Sequence, residues 1–309
     1  MAKRSMRHEC AKSLVELGTV CKEIVVLEGD LKESTQSIQF QQAYPKRYID
    51  CGIAEQNMVG VAAGLALAGK IPVVHSFASF ISMRACEQVR TSVAYPKLNV
   101  KFIASHGGIS PGTAGTTHHA IEDIAIMRAI PNMTVLVPGD AEEAKQATRA
   151  ALAYVGPVYI RLSASDSEDF YKEKDSFTIG RATLLREGND ACIITSGTTM
   201  TAGMEAADQL LQKGFKIKVL QMASLKPLDE ECIKKIVQEV KAIVTVEEHN
   251  IIGGLGGAVC EIAAGIGGAK IKRIGIKDHF CHVGSAACLL DQEEISVKSI
   301  IENVLVMLK

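Results

Sequence analysis

The sequence predicts an α/β protein made of two doubly wound domains, each a mostly parallel sheet with helices on both faces. Three observations carry that expectation. Short β-branched runs alternate with longer Ala-rich or amphipathic segments, and this strand–helix order builds a parallel sheet covered on both faces. The alternation stops once, in a polar, charged stretch without period at 164–174, and then resumes. The chain has 309 residues, too many for one domain on the prior of roughly 100–200 residues each.

Taken in order, the first half has strand candidates at 24–27, 72–75, 100–104, 134–137 and 158–162. Helix candidates lie at 5–17, 54–68, 80–95, 121–129 and 141–154. Asp140, after Gly139 and before Ala-Glu-Glu, reads as a helix N-cap with acids in the first turn. The second half repeats the pattern, with strands expected at 191–195, 217–220, 243–246 and 271–276. Its helices are expected at 199–213, 229–240, 256–264 and 295–308. The boundary falls near residue 175, giving domains 1–174 and 175–309.

Charge and cysteine usage exclude several classes. There are 34 basic and 35 acidic residues and no long basic block, which argues against a nucleic-acid or anionic-membrane surface. The nine cysteines are odd in number, form no CxxC pair and have no histidine at zinc spacing, so neither a disulfide framework nor a metal site is expected. No apolar segment at the start resembles a signal peptide, and no run approaches the roughly 18 residues of a membrane span. A soluble protein of a reducing compartment, the cytoplasm, is expected.

Three blocks carry candidate chemistry. In YIDCGIAEQNMVGVAAGLALAGK (48–70), Gly60, Ala62, Ala63, Gly64, Ala66 and Ala68 make a helix that a neighbour can approach closely. Glu55 begins it. On the residues alone this is either a first-turn acid complementing the helix dipole, or a carboxyl at a subunit interface that burial keeps protonated and able to share a proton with a ligand. In HSFASFISMRACEQVR (75–90), Phe77, Phe80 and Met83 recur every three residues. They are a core stripe or, since they follow a strand end where open α/β sheets place ligands, rings that stack on a flat heterocycle.

The third block, FIASHGGISPGTAGTTHHAIEDIAIMR (102–128), runs from a strand through a long Gly/Ser/Thr/Pro loop holding His106, His118 and His119. Adjacent His118 and His119 point apart, and no carboxylate sits at ligand spacing, so general acid/base work or substrate hydrogen bonding fits better than metal. Two further patterns are set aside. IIGGLGG (251–257), after Glu247-Glu248-His249, lacks the order of a phosphate loop and reads as a tight turn into a close-packed helix. Gly29-Asp30 with Asn57 lacks the third glycine and the context of a thiamine–magnesium signature.

GIAEQNM (52–58), FASF (77–80), GTTHHAIEDIAIMRAIPNM (115–133) and VPGDAEEA (137–144) together resemble the C-terminal half of a transketolase. That half is a pyrimidine-binding domain followed by a transketolase C-terminal domain. TVEEHNIIGGLGGAV (245–259) is also similar to deoxyxylulose-phosphate synthase.

The resemblance implies thiamine diphosphate as cofactor. Glu55 matches the glutamate that hydrogen-bonds N1′ of the aminopyrimidine, favouring the imino tautomer whose N4′ takes the thiazolium C2 proton. Phe80 matches the stacking ring, Phe77 lines the same pocket, and Met83 stands where Tyr is common. His118 matches the histidine of the family's Thr-His-Gln motif, His119 replaces the Gln, and His106 aligns with another substrate-binding histidine. Arg7 and Ser34 fall where the family holds the sugar phosphate, Arg161 is counted among the substrate contacts, and Asp30 matches a buried family Asp.

Two departures concern sugar recognition. A later Arg that grips phosphate is replaced by Ala164, and an acidic pair by Thr113-Ala114. The family's magnesium and diphosphate domain has no counterpart, so the resemblance implies one subunit of a split transketolase. An N-terminal partner would then hold diphosphate and Mg2+ in an α2β2 assembly, and this chain alone would be inactive. The expected activity is transfer of a two-carbon ketol unit from a ketose to an aldose. The alternatives are a deoxyxylulose-phosphate-synthase-like subunit, the β subunit of a 2-oxo-acid dehydrogenase, and a scaffolding remnant that no longer catalyses.

Overall fold

The computed structural model describes residues 3–172 and 176–309. The expected boundary near 175 falls on 173–175, outside the described residues. Two large sheets organise the chain. The first has seven strands in the order Ser224–Lys226, Thr134–Leu136, Val158–Arg161, Lys101–Ser105, Ile71–Phe77, Ile24–Glu28, Tyr48–Asp50. All its pairings are parallel except that of Ser224–Lys226 with Thr134–Leu136.

The second sheet orders Lys270–Ile276, Ala242–Asn250, Ala191–Thr195, Ile217–Gln221 and Thr183–Arg186, again parallel but for the last, antiparallel edge. The inner strands Ile24–Glu28 and Ala191–Thr195 are buried along their whole length, as strands covered on both faces are. The α/β class read from the sequence is the fold observed.

Helix starts are set locally. Ser5, Asp140, Asp229 and Ser296 each cap a helix by accepting a backbone N–H in its first turn. Asp140 was the one foreseen. Its other oxygen accepts Phe170 N and Tyr171 N, tying the tail of the first half to the same cap.

Three expectations need correction. The helix foreseen at 80–95 is not one α-helix: it opens as a π-turn over Phe80–Arg84, has a short α-turn at Cys86–Gln88 and widens again over Val89–Ala94. A π-turn takes up an extra residue without leaving the helix path, and hydrophobic spacing does not reveal that. The stretch 164–174 is not wholly structureless, because Ser167–Glu168 pairs antiparallel with Lys3–Arg4. Asp30 is not the buried acid of its turn. It is exposed at a positive φ of 61°, while Glu28, two residues earlier, is the buried carboxyl.

The stretch 251–257 does form the turn and helix start expected of it. The helix is Leu255–Ala263, and Glu247, within the preceding strand Ala242–Asn250, caps it by accepting Leu255 N at 2.6 Å and Gly256 N at 2.8 Å.

Candidate active site

The candidate residues gather at the carboxyl ends of the central parallel strands, where an open α/β sheet leaves a crevice. Phe77 ends the strand Ile71–Phe77, and the π-turn carrying Phe80 follows directly. His106 follows the neighbouring strand Lys101–Ser105, at a positive φ of 59°. Glu55 is the first residue of the helix Glu55–Leu67, which begins shortly after the edge strand Tyr48–Asp50.

Four rings pack together there. Phe77 and Phe80 stack at 5.6 Å between centroids, and His106 stacks on Phe77 at 3.9 Å. His118 meets Phe80 edge-on at 5.4 Å and Phe77 at 6.0 Å. The long loop after Ser105 thus returns its His118 to the same edge of the sheet, at the end of the neighbouring strand. The Nδ1 of His106 lies 3.0 Å from Ser105 Oγ, and that of His118 lies 2.9 Å from Thr117 Oγ1. Burial holds the His106 pKa down to about 4, helped by the charges of Arg7 and His118. An imidazole so placed is neutral at physiological pH and serves as a hydrogen-bonding group.

Glu55 is 1 % exposed. Its bonds run away from its own helix: Arg84 Nη1 donates to Oε2 at 2.6 Å, and Ser76 Oγ lies 3.4 Å from Oε1. Glu55 is the first-turn acid that one reading expected, and its carboxylate is engaged by these side chains as well. Glu55 is buried, as the other reading expected, and is half of an ion pair with Arg84. Arg84, which sequence reasoning missed, reaches both parts of the site, with its guanidinium carbon 4.4 Å from the centre of the Phe80 ring. Its only signal in the sequence was its place four residues after Phe80.

The remaining candidates spread around this centre. Met83 is 47 % exposed. With Ser79, Thr116 and His119 it lines a cavity of about 120 Å³ that Phe280 and Cys281 of the second half also border. His119 is buried with its Nε2 3.1 Å from Gly112 O, and its Nδ1 has no partner among the described residues.

Arg7 donates to Ser34 O at 2.6 Å and to Ala164 O at 2.8 Å, so it meets Ser34 through backbone, not through the hydroxyl. Arg161 is buried and committed to protein. It pairs with Asp123 at 2.9 Å and donates to Ala120 O and Glu248 O, at the junction with the second sheet. The structure brings together Glu55, Phe77, Phe80, His106 and His118, and does not bring Arg161 to them.

A larger cavity, about 440 Å³, lies between the two halves against Ser110, Ser163, Thr198 and Glu248, and none of the ring cluster lines it. Among the described residues no three His, Cys, Asp or Glu side chains converge as a metal set. No described helix is long and apolar enough to cross a membrane. Around the helix Glu55–Leu67, Gly60 and Gly64 face open space, and Ile53 and Leu67 are exposed.

Comparison with known proteins agrees on the family. Residues 2–168 match the model of the transketolase pyrimidine-binding domain, and residues 180–300 that of the transketolase C-terminal domain. The chain is 44 % identical over 309 residues to a putative transketolase C-terminal section from Methanocaldococcus jannaschii, covering 99 % of this chain and 97 % of the other. It is 41 % identical over 288 residues to a 6-deoxy-6-sulfo-D-fructose transketolase subunit from Clostridium sp. (strain MSTE9), covering 93 % and 89 %. A solved structure described as a split-gene transketolase, an inactive β4 tetramer, superposes with a TM-score of 0.90 at 40 % identity over 99 % of both chains.

Proposed function

Because this chain belongs to the transketolase family, as the C-terminal subunit of its split form, we propose that it supplies the pyrimidine side of a thiamine-diphosphate site. A separate N-terminal subunit would hold the diphosphate and Mg2+. On this reading residues 1–174 form the pyrimidine-binding unit and 175–309 the C-terminal one. The assembled enzyme transfers a two-carbon ketol unit from a ketose to an aldose. The observation that carries the reading is the buried Glu55 carboxylate, joined through Arg84 to the stacked rings of Phe80 and Phe77 at one end of the sheet.

The residues present fit such a cofactor. A half-buried ring offers a stacking surface, and Glu55 Oε1, with only the long contact from Ser76 among the described residues, has a lone pair free for a ring N–H. Bound there, thiamine diphosphate supplies the carbon nucleophile and the electron sink. Glu55 holds the proton at N1′, and Phe80 and Phe77 fix the ring's plane. His106 and His118 reach sugar oxygens, His106 as a neutral donor or acceptor.

Arg7 lies beside the backbone of Ala164, near enough to His106 for its charge to lower that imidazole's pKa. The Nε of Arg7 is buried and without a partner among the described residues, so a shift of the side chain that uncovers it gives an anionic sugar end a donor. The phosphate-gripping arginine expected at 164 is missing, and the Clostridium relative is named for a sulfonated sugar. The first weakens the hold on a phosphate and the second favours a sulfonated ketose, its anionic end held mainly through Arg7. The open face of the helix Glu55–Leu67 supports close contact with a second subunit, which would complete an α2β2 assembly.

The test is reconstitution. The purified chain, mixed with an N-terminal transketolase subunit, thiamine diphosphate and Mg2+, should transfer ketol units, and neither subunit alone should. Glu55→Ala in that complex should lower kcat by about a hundredfold or more, the range of a lost proton-handling group. Full activity in the variant would refute the assignment.

A further inference from the structure

We propose that Arg84 occupies the place of the cofactor's aminopyrimidine and must leave for it, so that Arg84 sets how tightly the enzyme takes up its cofactor. The proposal rests on the thiamine-diphosphate reading above.

A guanidinium is planar, cationic and edged with N–H donors. An aminopyrimidine protonated at N1′ presents the same three properties to a carboxylate and a phenyl ring. Arg84 uses all of them here: Nη1 donates to Glu55 Oε2 at 2.6 Å, and the guanidinium carbon lies 4.4 Å from the Phe80 ring centre. These are the two groups that an incoming aminopyrimidine needs.

The surroundings of Phe80 leave little choice about what moves. Phe77 stacks on it at 5.6 Å, His118 meets it edge-on at 5.4 Å, and Arg84 lies over it. Phe77 is 8 % exposed and packed under His106. The Arg84 side chain is 45 % exposed, on a long flexible stem at the end of the π-turn Phe80–Arg84. It is the neighbour free to swing out. Without it, the free subunit would hold Glu55 as a buried and unpaired charge, which is costly. Arg84 thus keeps the site folded before assembly, and the same contact competes with the cofactor.

The experiment measures thiamine diphosphate binding by calorimetry, with Mg2+, to the full chain reconstituted with its N-terminal subunit. Arg84→Met should lower the Kd by about tenfold, the fold-change of one lost competing charge-assisted contact. An equal or weaker affinity would overturn the proposal. If Arg84→Met fails to fold, the wild-type complex still decides: the guanidinium 15N signals of Arg84 should shift and sharpen at saturating cofactor, and signals unmoved by cofactor would sink the idea. Should neither protein take up cofactor, the thiamine-diphosphate reading itself falls and this proposal with it. Equal binding by both would remove this proposal alone.

Discussion

The imidazole of His106 lies 3.9 Å from the ring of Phe77 with the planes 30° apart, so a side chain on one strand orients a histidine that follows the next. Held there, His106 loses water, and it also sits near Arg7 and His118. Its pKa falls to about 4. The folded value lies below the unfolded value near 6.5, so the stabilisation is fully present above about pH 6.5 and is lost as pH falls toward 4. His106→Gln should therefore narrow its stability gap to the wild type as urea titrations move from pH 7 to pH 4.5. A gap independent of pH would refute this. NMR titration of the ring should give a midpoint near 4.

Arg161 and Asp123 form a buried ion pair at the junction of the two halves, and Asp123 also accepts the Tyr159 hydroxyl at 2.8 Å. Removing one partner leaves the other charged and buried. Arg161→Met should cost about 3–5 kcal/mol of unfolding free energy, read from denaturant midpoints. A variant as stable as the wild type but with a raised KM would return Arg161 to the sugar.

Glu247 caps the helix Leu255–Ala263 from within the core, and burial pushes its pKa up to about 7. A methyl group at Gly254 would run into the capping carboxylate. Gly254→Ala should cost about 1–3 kcal/mol through overpacking, and Glu247→Ala a similar amount through two unsatisfied N–H groups. Because they disturb one contact, the double variant should cost clearly less than the sum. Strict additivity in a denaturation cycle would contradict the shared contact.

Ala164 takes part in the site only through its backbone, bonding Arg7 and Ser110. Ala164→Arg adds a guanidinium without removing either bond. In the reconstituted enzyme it should lower the KM for a phosphorylated ketose by about tenfold, the scale of one added charge-assisted contact, with kcat little changed. An unchanged KM would mean that position 164 does not face the anionic end of the sugar.

The inner strands were legible because each is a short β-branched run buried on both faces, and Asp140 was legible because a cap is a local motif. The edge strands Thr183–Arg186 and Ser224–Lys226 were not. They are short and antiparallel, and each is defined by a partner instead of by its own pattern. Within the site, the residue types around Glu55 and Phe80 marked the place. The Glu55–Arg84 pair stayed hidden because a π-turn and a separate helix must both be in position before the two charges meet. Glu28 and Asp30 show the same limit. One ends a strand and the other lies in the bend after it, and only the path of the backbone decides which of them is buried.

The strand Ser224–Lys226 belongs by sequence to the second half yet finishes the sheet of the first, beside Thr134–Leu136. The two halves therefore do not separate cleanly as parts for exchange. A fragment ending between the two family modules would expose a row of unpaired backbone N–H and C=O groups, inviting another chain to add its own strand. Recombining this pyrimidine-binding half with a foreign C-terminal half requires that the donor bring a matching three-residue edge. The limit on such chimaeras is set at the far rim of the sheet, away from the chemistry.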